Sequence, residues 1–193
     1  MTRNSHLQAA PNGVSAADTD VLRRLAAGDR DAVAELYDRH AARVLGLAYR
    51  IVRNSGDAED VVQEVFSQAW RTAGNYEPSR GSVAGWLLMM ARTRAIDRLR
   101  ARQSRPQVDA APDLDRLPAD TASMSDRLIA NQQASHVRTA MLALPAEQKV
   151  ALELAYFEGL TQSEIAERLD IPLGTAKTRI RAALASLRRS VRP

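Results

Sequence analysis

Apolar residues recur at helical spacing along most of the chain, and no stretch alternates apolar and polar positions as a strand does. The first half predicts helices over about 20–28, 29–53, 57–72 and 82–102. The third of these has one continuous apolar face, which we expect to lie in the core: Ala58, Val61, Val62, Val65, Phe66 and Ala69. This pattern favours an all-α fold.

The predicted helix over 82–102 is rich in arginine and has Ser82 in place to cap it. Its periodicity predicts a core side formed by Leu88, Met89, Ala95, Ile96 and Leu99. The opposite side is predicted to combine Trp86, Met90, Thr93 and Asp97 with Arg94, Arg98 and Arg100. Arg92 projects toward the apolar side, and we expect it to pair with Asp57 or Glu59. The helix is therefore predicted to present a basic face to solvent.

The middle of the chain, residues 103–126, shows no helical period and contains prolines and an excess of Asp over Arg. We interpret it as a flexible acidic linker. It separates an N-terminal domain, residues 18–102, from a C-terminal domain, residues 127–193. Residues 1–17 are predicted to be a disordered tail. The C-terminal domain is predicted to have four helices, so the fold consists of two small helical domains.

The last two predicted helices have the layout of a helix-turn-helix. Thr161 can cap the first of them, and Glu164 completes a capping box. Pro172 stands where the second begins, and no Asp or Glu follows Ile171. The second helix has an apolar face formed by Ala176, Ile180, Ala183, Leu184, Leu187 and Val191. Its basic flank is formed by Lys177, Arg181 and Arg188. A basic second helix is typical of one that lies in the major groove of DNA.

The composition limits which chemistry the chain can carry out. The formal net charge of +4 permits a polyanionic partner, and 45% apolar with only 4% aromatic residues suits helix bundles. Because the chain has no cysteine and its histidines are far apart, we expect no catalytic residue, metal or cofactor. No apolar run reaches membrane-spanning length and the first residues lack a signal-peptide core, so a cytoplasmic location is expected.

Several motifs occur together in one order along the chain. They are Asp57-Ala58-Glu59-Asp60-Val61-Val62-Gln63-Glu64-Val65-Phe66, Gly85-Trp86-Leu87, Ala91-Arg92-Thr93-Arg94-Ala95-Ile96-Asp97-Arg98-Leu99-Arg100, and Leu144-Pro145 ahead of the helix-turn-helix. With them the chain resembles bacterial RNA polymerase sigma factors of the extracytoplasmic-function (ECF) type, over about 20–102 and 127–190. The resemblance implies an alternative sigma factor without enzymatic activity, which binds core RNA polymerase and directs promoter recognition, DNA melting and transcription initiation at a specific regulon.

The resemblance divides these tasks between the domains. The N-terminal domain would hold the polymerase clamp and melt the −10 element. It would bind the largest polymerase subunits through Asp60, Gln63 and Glu64. It would bind the −10 element through Tyr76, Thr93, Arg94, Asp97, Arg98 and Arg100. Family members often carry Asn where this chain has Thr93, so a base contact there should differ in reach. For Trp86 we favour a packing role over a DNA contact.

The C-terminal domain, by the same resemblance, docks its last helix at the −35 element. The matching residues are Thr175, Lys177, Thr178 and Arg181. Ala182 stands where relatives often carry Arg, so the −35 preference cannot be transferred to this chain. The resemblance also implies a stress response and an anti-sigma protein as a partner, which in many members is anchored in the inner membrane. No small-molecule substrate is implied.

A stand-alone DNA-binding regulator is the alternative function, because residues 161–189 also resemble the output domain of response regulators. A phospho-receiver needs alternating strands and helices, and the N-terminal half predicts no strand. A nucleic-acid enzyme is a third possibility with little support. No phosphate-binding Gly-rich loop, metal cluster or carboxylate pair beside a histidine occurs in the sequence.

Overall fold

The computed structural model describes residues 15–103 and 139–191, and within these ranges every regular element is a helix. The chain divides into two compact units, residues 1–121 and 122–193. The first unit contains α1 (Ala16–Ala26), α2 (Asp31–Val52), α3 (Ser55–Thr72) and α4 (Val83–Gln103), with short 3-10 turns at Ala73–Asn75 and Pro78–Arg80. The second unit contains α5 (Ala146–Phe157), α6 (Gln162–Arg168) and α7 (Leu173–Val191). The all-α prediction is confirmed.

Helix α1 begins earlier than the predicted start at Asp20. The reason is a cap, because Ser15 Oγ accepts a hydrogen bond of 3.3 Å from the backbone N–H of Asp18. Its buried face packs against α2, α3 and the turn at 73–75, through Val21, Leu22 and Leu25. Residues 16 and 17 are therefore helical, although they belong to the segment predicted to be disordered. Residues 1–14 of that predicted tail lie outside the described residues.

Helices α2, α3 and α4 pack against one another around the core of the first unit. Asn54 begins α3, since its Oδ1 accepts a 2.9 Å hydrogen bond from the N–H of Asp57. Ser82 begins α4 as predicted, with its Oγ accepting the N–H of Gly85 at 3.2 Å. The predicted apolar face of α3 is confirmed, because all of its members are buried: Ala58, Val61, Val62, Val65, Phe66 and Ala69.

The buried side of α4 differs from the prediction. Met90 is only 8% exposed, whereas Met89, which is predicted to lie in the core, is 65% exposed. The buried residues of this helix are Val83, Leu87, Met90, Ala91, Ala95 and Ile96. They spread around the helix because α4 packs against both α2 and α3, so its periodicity defines no single apolar face.

This correction also changes where the arginines of α4 lie. The helical stripe of Leu87 and Ala91 continues, at spacings of three and four residues, into Arg94, Arg98 and Arg102. The prediction that Arg94 and Arg98 lie opposite the core side is therefore wrong. They extend the buried stripe toward the end of the helix.

The second unit has a core formed by α5, α6 and α7. One apolar cluster consists of Ala151, Leu154, Ile165, Ala166, Ala176 and Ile180, and a second consists of Leu144, Leu152 and Ala183. Residues 139–142 are also helical, which agrees with a fourth helix in this unit. Leu184, predicted for the apolar face of α7, is 42% exposed, because it lies at the edge of that face. The rest of the helix predicted before Leu144, and nearly all of the predicted linker, lie outside the described residues.

The helix-turn-helix is formed by α6 and α7. Thr161 Oγ1 accepts the N–H of Glu164 at 3.3 Å, and the N–H of Thr161 donates to Glu164 Oε2 at 2.6 Å, so the predicted capping box is present. Gly159 ends the preceding segment with a φ of 66°, a conformation that suits glycine. Asp170 turns the chain between the two helices with a φ of 50°, which Asp tolerates better than most residues. Within the described residues, no helix has the length and apolarity of a membrane span.

Candidate functional site

A network of charged side chains joins α3 and α4. Arg98 Nη2 donates to Glu64 at 2.6 Å, and its Nη1 donates to Asp60 at 2.8 Å. The same Nη1 lies 3.4 Å from an oxygen of Asp57. Arg102 also lies near Asp57, with its Nη1 3.7 Å from Oδ2, and the pairing of Arg92 with Asp57 or Glu59 stays a prediction. The sequence signal for this network is the i, i+3, i+7 spacing of Asp57, Asp60 and Glu64, but nothing in that spacing identifies their partner across the helix interface.

The same network includes Arg94. Its Nη2 donates to Gln68 Oε1 at 3.1 Å, and its Nε lies 3.9 Å from Glu64. The hydrogen bond to Glu64 is the main reason that the pKa of Arg98 is raised above its ordinary value; burial opposes this rise, and Asp60 adds to it. Two arginines predicted to bind the −10 element, Arg94 and Arg98, thus contact residues predicted to bind polymerase.

The α3 polar face, which we define as Asp60, Gln63 and Glu64, lies on the side of α3 away from the core. Asp60 and Gln63 are exposed, and Glu64 is half-buried. The pairing with Arg98 leaves the face accessible, because 55% of the Asp60 side chain and 40% of the Glu64 side chain remain exposed. The structure therefore brings the three predicted residues together on one accessible surface.

Tyr76 is held within the loop between α3 and α4, residues 73–82, which we name the Tyr76 loop. Its hydroxyl donates to the carbonyl oxygen of Gly81 at 2.8 Å. Its ring packs on Trp86, with centroids 5.6 Å apart and planes tilted by 55°. Burial raises the pKa of Tyr76, and the charge of Asp18 adds to this rise. The ring contact agrees with the packing interpretation of Trp86.

The exposed side of α4 carries three of the predicted −10 residues: Thr93, Asp97 and Arg100. Thr93 Oγ1 donates to the carbonyl oxygen of Met89 at 3.1 Å. Because that bond uses its only proton, the hydroxyl is left to accept hydrogen bonds. The predicted −10 residues are therefore split between this exposed side and the network with α3.

Helix α7 presents the predicted −35 residues near its N-terminal end. Thr178 and Arg181 are exposed, and Thr175 and Lys177 are half-buried. Thr178 Oγ1 donates to the carbonyl oxygen of Gly174 at 2.8 Å, which fixes its rotamer. Since α7 contains no acidic residue, no carboxylate of this helix competes with a polyanion for its cations.

Arg179 belongs to the same helix but has a different environment. Its Nη2 lies 2.6 Å from Glu147 Oε2, so it joins α7 to α5.

A groove of about 410 Å³ runs along the N-terminal end of α7, and Thr175, Thr178 and Ala182 line it. The small side chain of Ala182 leaves this side of α7 open beside two predicted −35 residues.

Comparison with known proteins defines the class of protein. Residues 36–105 match the family model "Sigma-70 region 2", and residues 136–187 match "Sigma-70, region 4". ECF RNA polymerase sigma factor SigK of Mycobacterium ulcerans is 39% identical, over 87% of this chain and 90% of that protein. SigK of Mycobacterium tuberculosis strain H37Rv is 38% identical, over 87% of this chain and 90% of that protein.

A solved structure is also similar to this chain. The crystal structure of Rhodobacter sphaeroides SigE in complex with the anti-sigma ChrR covers 89% of this chain and 96% of that chain, with 32% identity and a TM-score of 0.45. The sequence matches place the chain among the RNA polymerase sigma factors. It belongs to the sigma-70 family, as a sigma factor of the extracytoplasmic-function type, and directs promoter recognition and transcription initiation.

Proposed function

We propose that the α3 polar face is the surface by which this sigma factor binds core RNA polymerase, at the clamp formed by its largest subunits. The observation that carries the proposal is the position of Asp60, Gln63 and Glu64 on one accessible side of α3. Their carboxylate and amide groups suit a partner that offers cations and hydrogen-bond donors. Arg98 supports the face by bonding both carboxylates, which limits their mutual repulsion.

The −10 element is assigned to the Tyr76 loop and the exposed side of α4. An opened strand exposes bases that stack on aromatic rings and phosphates that pair with cations. Tyr76 supplies a ring, which Trp86 supports by packing on it, and Arg100 supplies an exposed cation. For Arg94 or Arg98 to bind a phosphate, each would have to leave its partner on α3. All three arginines are assigned to the DNA backbone, and for Arg94 and Arg98 that contact requires an exchange of partner.

The −35 element is assigned to α7. Thr175, Lys177, Thr178 and Arg181 face the groove or the solvent near its N-terminal end. Lys and Arg can donate to guanine edges, and Thr can reach a base or a phosphate. Because Ala182 cannot make the contact of a longer side chain, the base preference of this helix differs from that of relatives with Arg there.

The wider setting that we propose is the one expected of a member of this family. The protein acts in the cytoplasm as a non-enzymatic polymerase subunit within a stress response. It is held inactive by an anti-sigma protein that can be anchored in the membrane. This partner is supported by the sequence similarity to SigE of Rhodobacter sphaeroides, which is 32% identical to this chain and was solved in complex with the anti-sigma ChrR.

Run-off transcription with purified core polymerase and no other sigma factor tests the proposal. The protein is expected to direct initiation, and Gln63→Ala is expected to weaken co-elution with core polymerase on gel filtration. Gln162→Ala removes the same amide from an exposed position on α6 and should assemble like the parent protein. If no transcript forms unless another sigma factor is added, the proposed function of directing initiation is wrong. If Gln63→Ala assembles normally, only the clamp assignment is wrong.

A further inference from the structure

Asp18, near the start of α1, contacts two basic side chains of α2. Its Oδ1 accepts a hydrogen bond of 3.1 Å from Arg39 Nη1, and its Oδ2 lies 3.1 Å from His40 Nε2. The side chains of Asp18 and His40 are only 15% and 5% exposed. Arg39 is fixed in turn by Glu35, one helical turn earlier on α2. A carboxylate buried to this extent is retained only where a cation or donor compensates it, as Arg39 does here.

The position of α1 connects this cluster with the Tyr76 loop. The buried face of α1 packs on α2, α3 and the turn at Ala73–Asn75, which leads directly into Tyr76. Ala73 is only 5% exposed, so the beginning of the loop is covered by protein. Helix α1 lies before the matched region 2, which begins at residue 36. Helix α1, which precedes the residues that match region 2, thus supports the Tyr76 loop, which lies within those residues.

The charge of Asp18 also acts on the Tyr76 phenol. Burial is the first cause of the raised pKa of Tyr76, and the charge of Asp18 is the other. The phenol is held at its hydroxyl by the carbonyl of Gly81 and on its ring by Trp86. The beginning of the loop therefore packs on the helix that Asp18 joins to α2.

We propose that Asp18 is a positioning residue for promoter opening: by fixing α1 to α2 through Arg39 and His40, it holds the Tyr76 loop ready to receive an unstacked base. The proposal rests on the function assigned above to Tyr76. A loop that is already ordered loses less conformational entropy when the DNA strand binds to it, so an ordered loop favours the open complex.

The test compares Asp18→Asn with Asp20→Asn in the full-length chain. Asp20 lies on the same helix, but its partner Arg23 is on the surface, so the control makes the same chemical change at an exposed site. Both changes are made in a Trp70→Phe background, which leaves Trp86 as the single tryptophan. Acrylamide quenching of Trp86 then reports the packing of the Tyr76 loop in the free protein.

The same variants are assembled with core polymerase, and the rate of promoter opening is followed by the fluorescence of 2-aminopurine at the −10 element. Asp18→Asn should increase quenching of Trp86 and slow opening by roughly three- to thirtyfold, the range for residues that act through a packed network. Core binding should stay at the parent level. Asp20→Asn should match the parent in all three measurements.

Two results would overturn the proposal. One is equal quenching and equal opening rates in Asp18→Asn and Asp20→Asn. The other is a loss of core binding in Asp18→Asn as large as its loss of opening, which would show general destabilisation of the first unit. Tyr76→Ala separates the inference from the proposed function. If Tyr76→Ala opens promoters normally, the assignment of Tyr76 fails, whereas slow opening in Tyr76→Ala with normal opening in Asp18→Asn rejects only the role of Asp18.

Discussion

Arg98 of α4 donates a hydrogen bond to Glu64 of α3 at 2.6 Å. The same guanidinium donates to Asp60 at 2.8 Å. The Arg98 side chain is 28% exposed, so water screens these pairs less than it screens pairs on an open surface. One cation therefore joins the two helices and separates carboxylates that would otherwise repel one another.

We predict that Arg98→Gln lowers the free energy of unfolding of the first unit by about 1–2 kcal/mol, because the carboxylates of α3 lose a shared partner. Both tryptophans, Trp70 and Trp86, lie in this unit, so tryptophan fluorescence during urea unfolding reports it. Arg71→Gln, at an exposed position of α3, is the matched control and should cost less than about 0.5 kcal/mol. Equal losses in the two variants would show that the network adds no stability.

Helix α3 could be predicted from the sequence because it buries a single face. Its apolar positions repeat at helical spacing, and each of them proved to be buried. Helix α7 behaves similarly, with Ala176, Ile180 and Ala183 buried and Arg181 exposed. Among the members of its predicted apolar face whose side chains the structure describes, Leu184 is the exposed one, at the edge of the face. When a helix buries a single face, its own sequence predicts which side of the helix lies in the core.

Helix α4 could not be predicted in the same way because it has two neighbours. Leu87 and Ile96 lie on different sides of the helix and are both buried. Arg98, one of the residues predicted to face solvent, continues the buried stripe because acids on α3 compensate its charge. That compensation depends on residues more than thirty positions away in the sequence, and local periodicity carries no information about them. The positions of Asp60, Gln63 and Glu64, by contrast, follow directly from the periodicity of α3.

We predict that Thr161→Ala destabilises the second unit by about 1 kcal/mol, because the first turn of α6 loses the hydroxyl that accepts the N–H of Glu164. The two units can unfold separately, so two probes are needed. Circular dichroism should report the change, whereas tryptophan fluorescence, confined to the first unit, should not. Thr161→Ser retains the accepting oxygen and should restore most of the lost stability. A loss in Thr161→Ser as large as that in Thr161→Ala would argue against the capping box.

The acid sensitivity of the first unit is predicted to depend on Asp18. Burial alone would raise the pKa of this carboxyl, but contacts with His40 and Arg39 outweigh burial and lower it below 3.8. A group with a lowered pKa in the folded state stabilises the protein above its unfolded pKa, and this contribution disappears as the pH falls through the folded pKa. Stability should therefore decline below about pH 4, and Asp18→Asn should make the decline shallower while reducing stability at neutral pH.

Urea midpoints followed by tryptophan fluorescence between neutral and acid pH measure this effect. Asp20→Asn is the control. The pKa of Asp20 is also lowered, mainly by its hydrogen bond with Arg23, but this pair is exposed and contributes little to stability. The predicted dependence on Asp18 is contradicted if the two variants have parallel pH profiles.

The basic residues of α7 should contribute to promoter affinity through charge. Lys177 and Arg181 lie on a helix without acids, and Arg181 is exposed. Each cation that neutralises a phosphate adds about one to the slope of log affinity against log salt concentration. We predict that Lys177→Ala and Arg181→Ala each weaken holoenzyme binding to a promoter with its −35 element. A phosphate contact would lower the salt slope by about one, and a base contact would instead relax preference at one position.

Arg189→Ala is the matched control, because Arg189 is exposed in the last turn of the same helix, far from the N-terminal end that carries the predicted contacts. It should have the smaller effect on binding. All three variants should co-elute with core polymerase like the parent protein, since α7 lies in a different unit from the α3 polar face. Lys177→Ala and Arg181→Ala could weaken binding to a promoter with a scrambled −35 element as much as binding to one with an intact element. In that case the cations act through general attraction to DNA, and α7 does not read the −35 element.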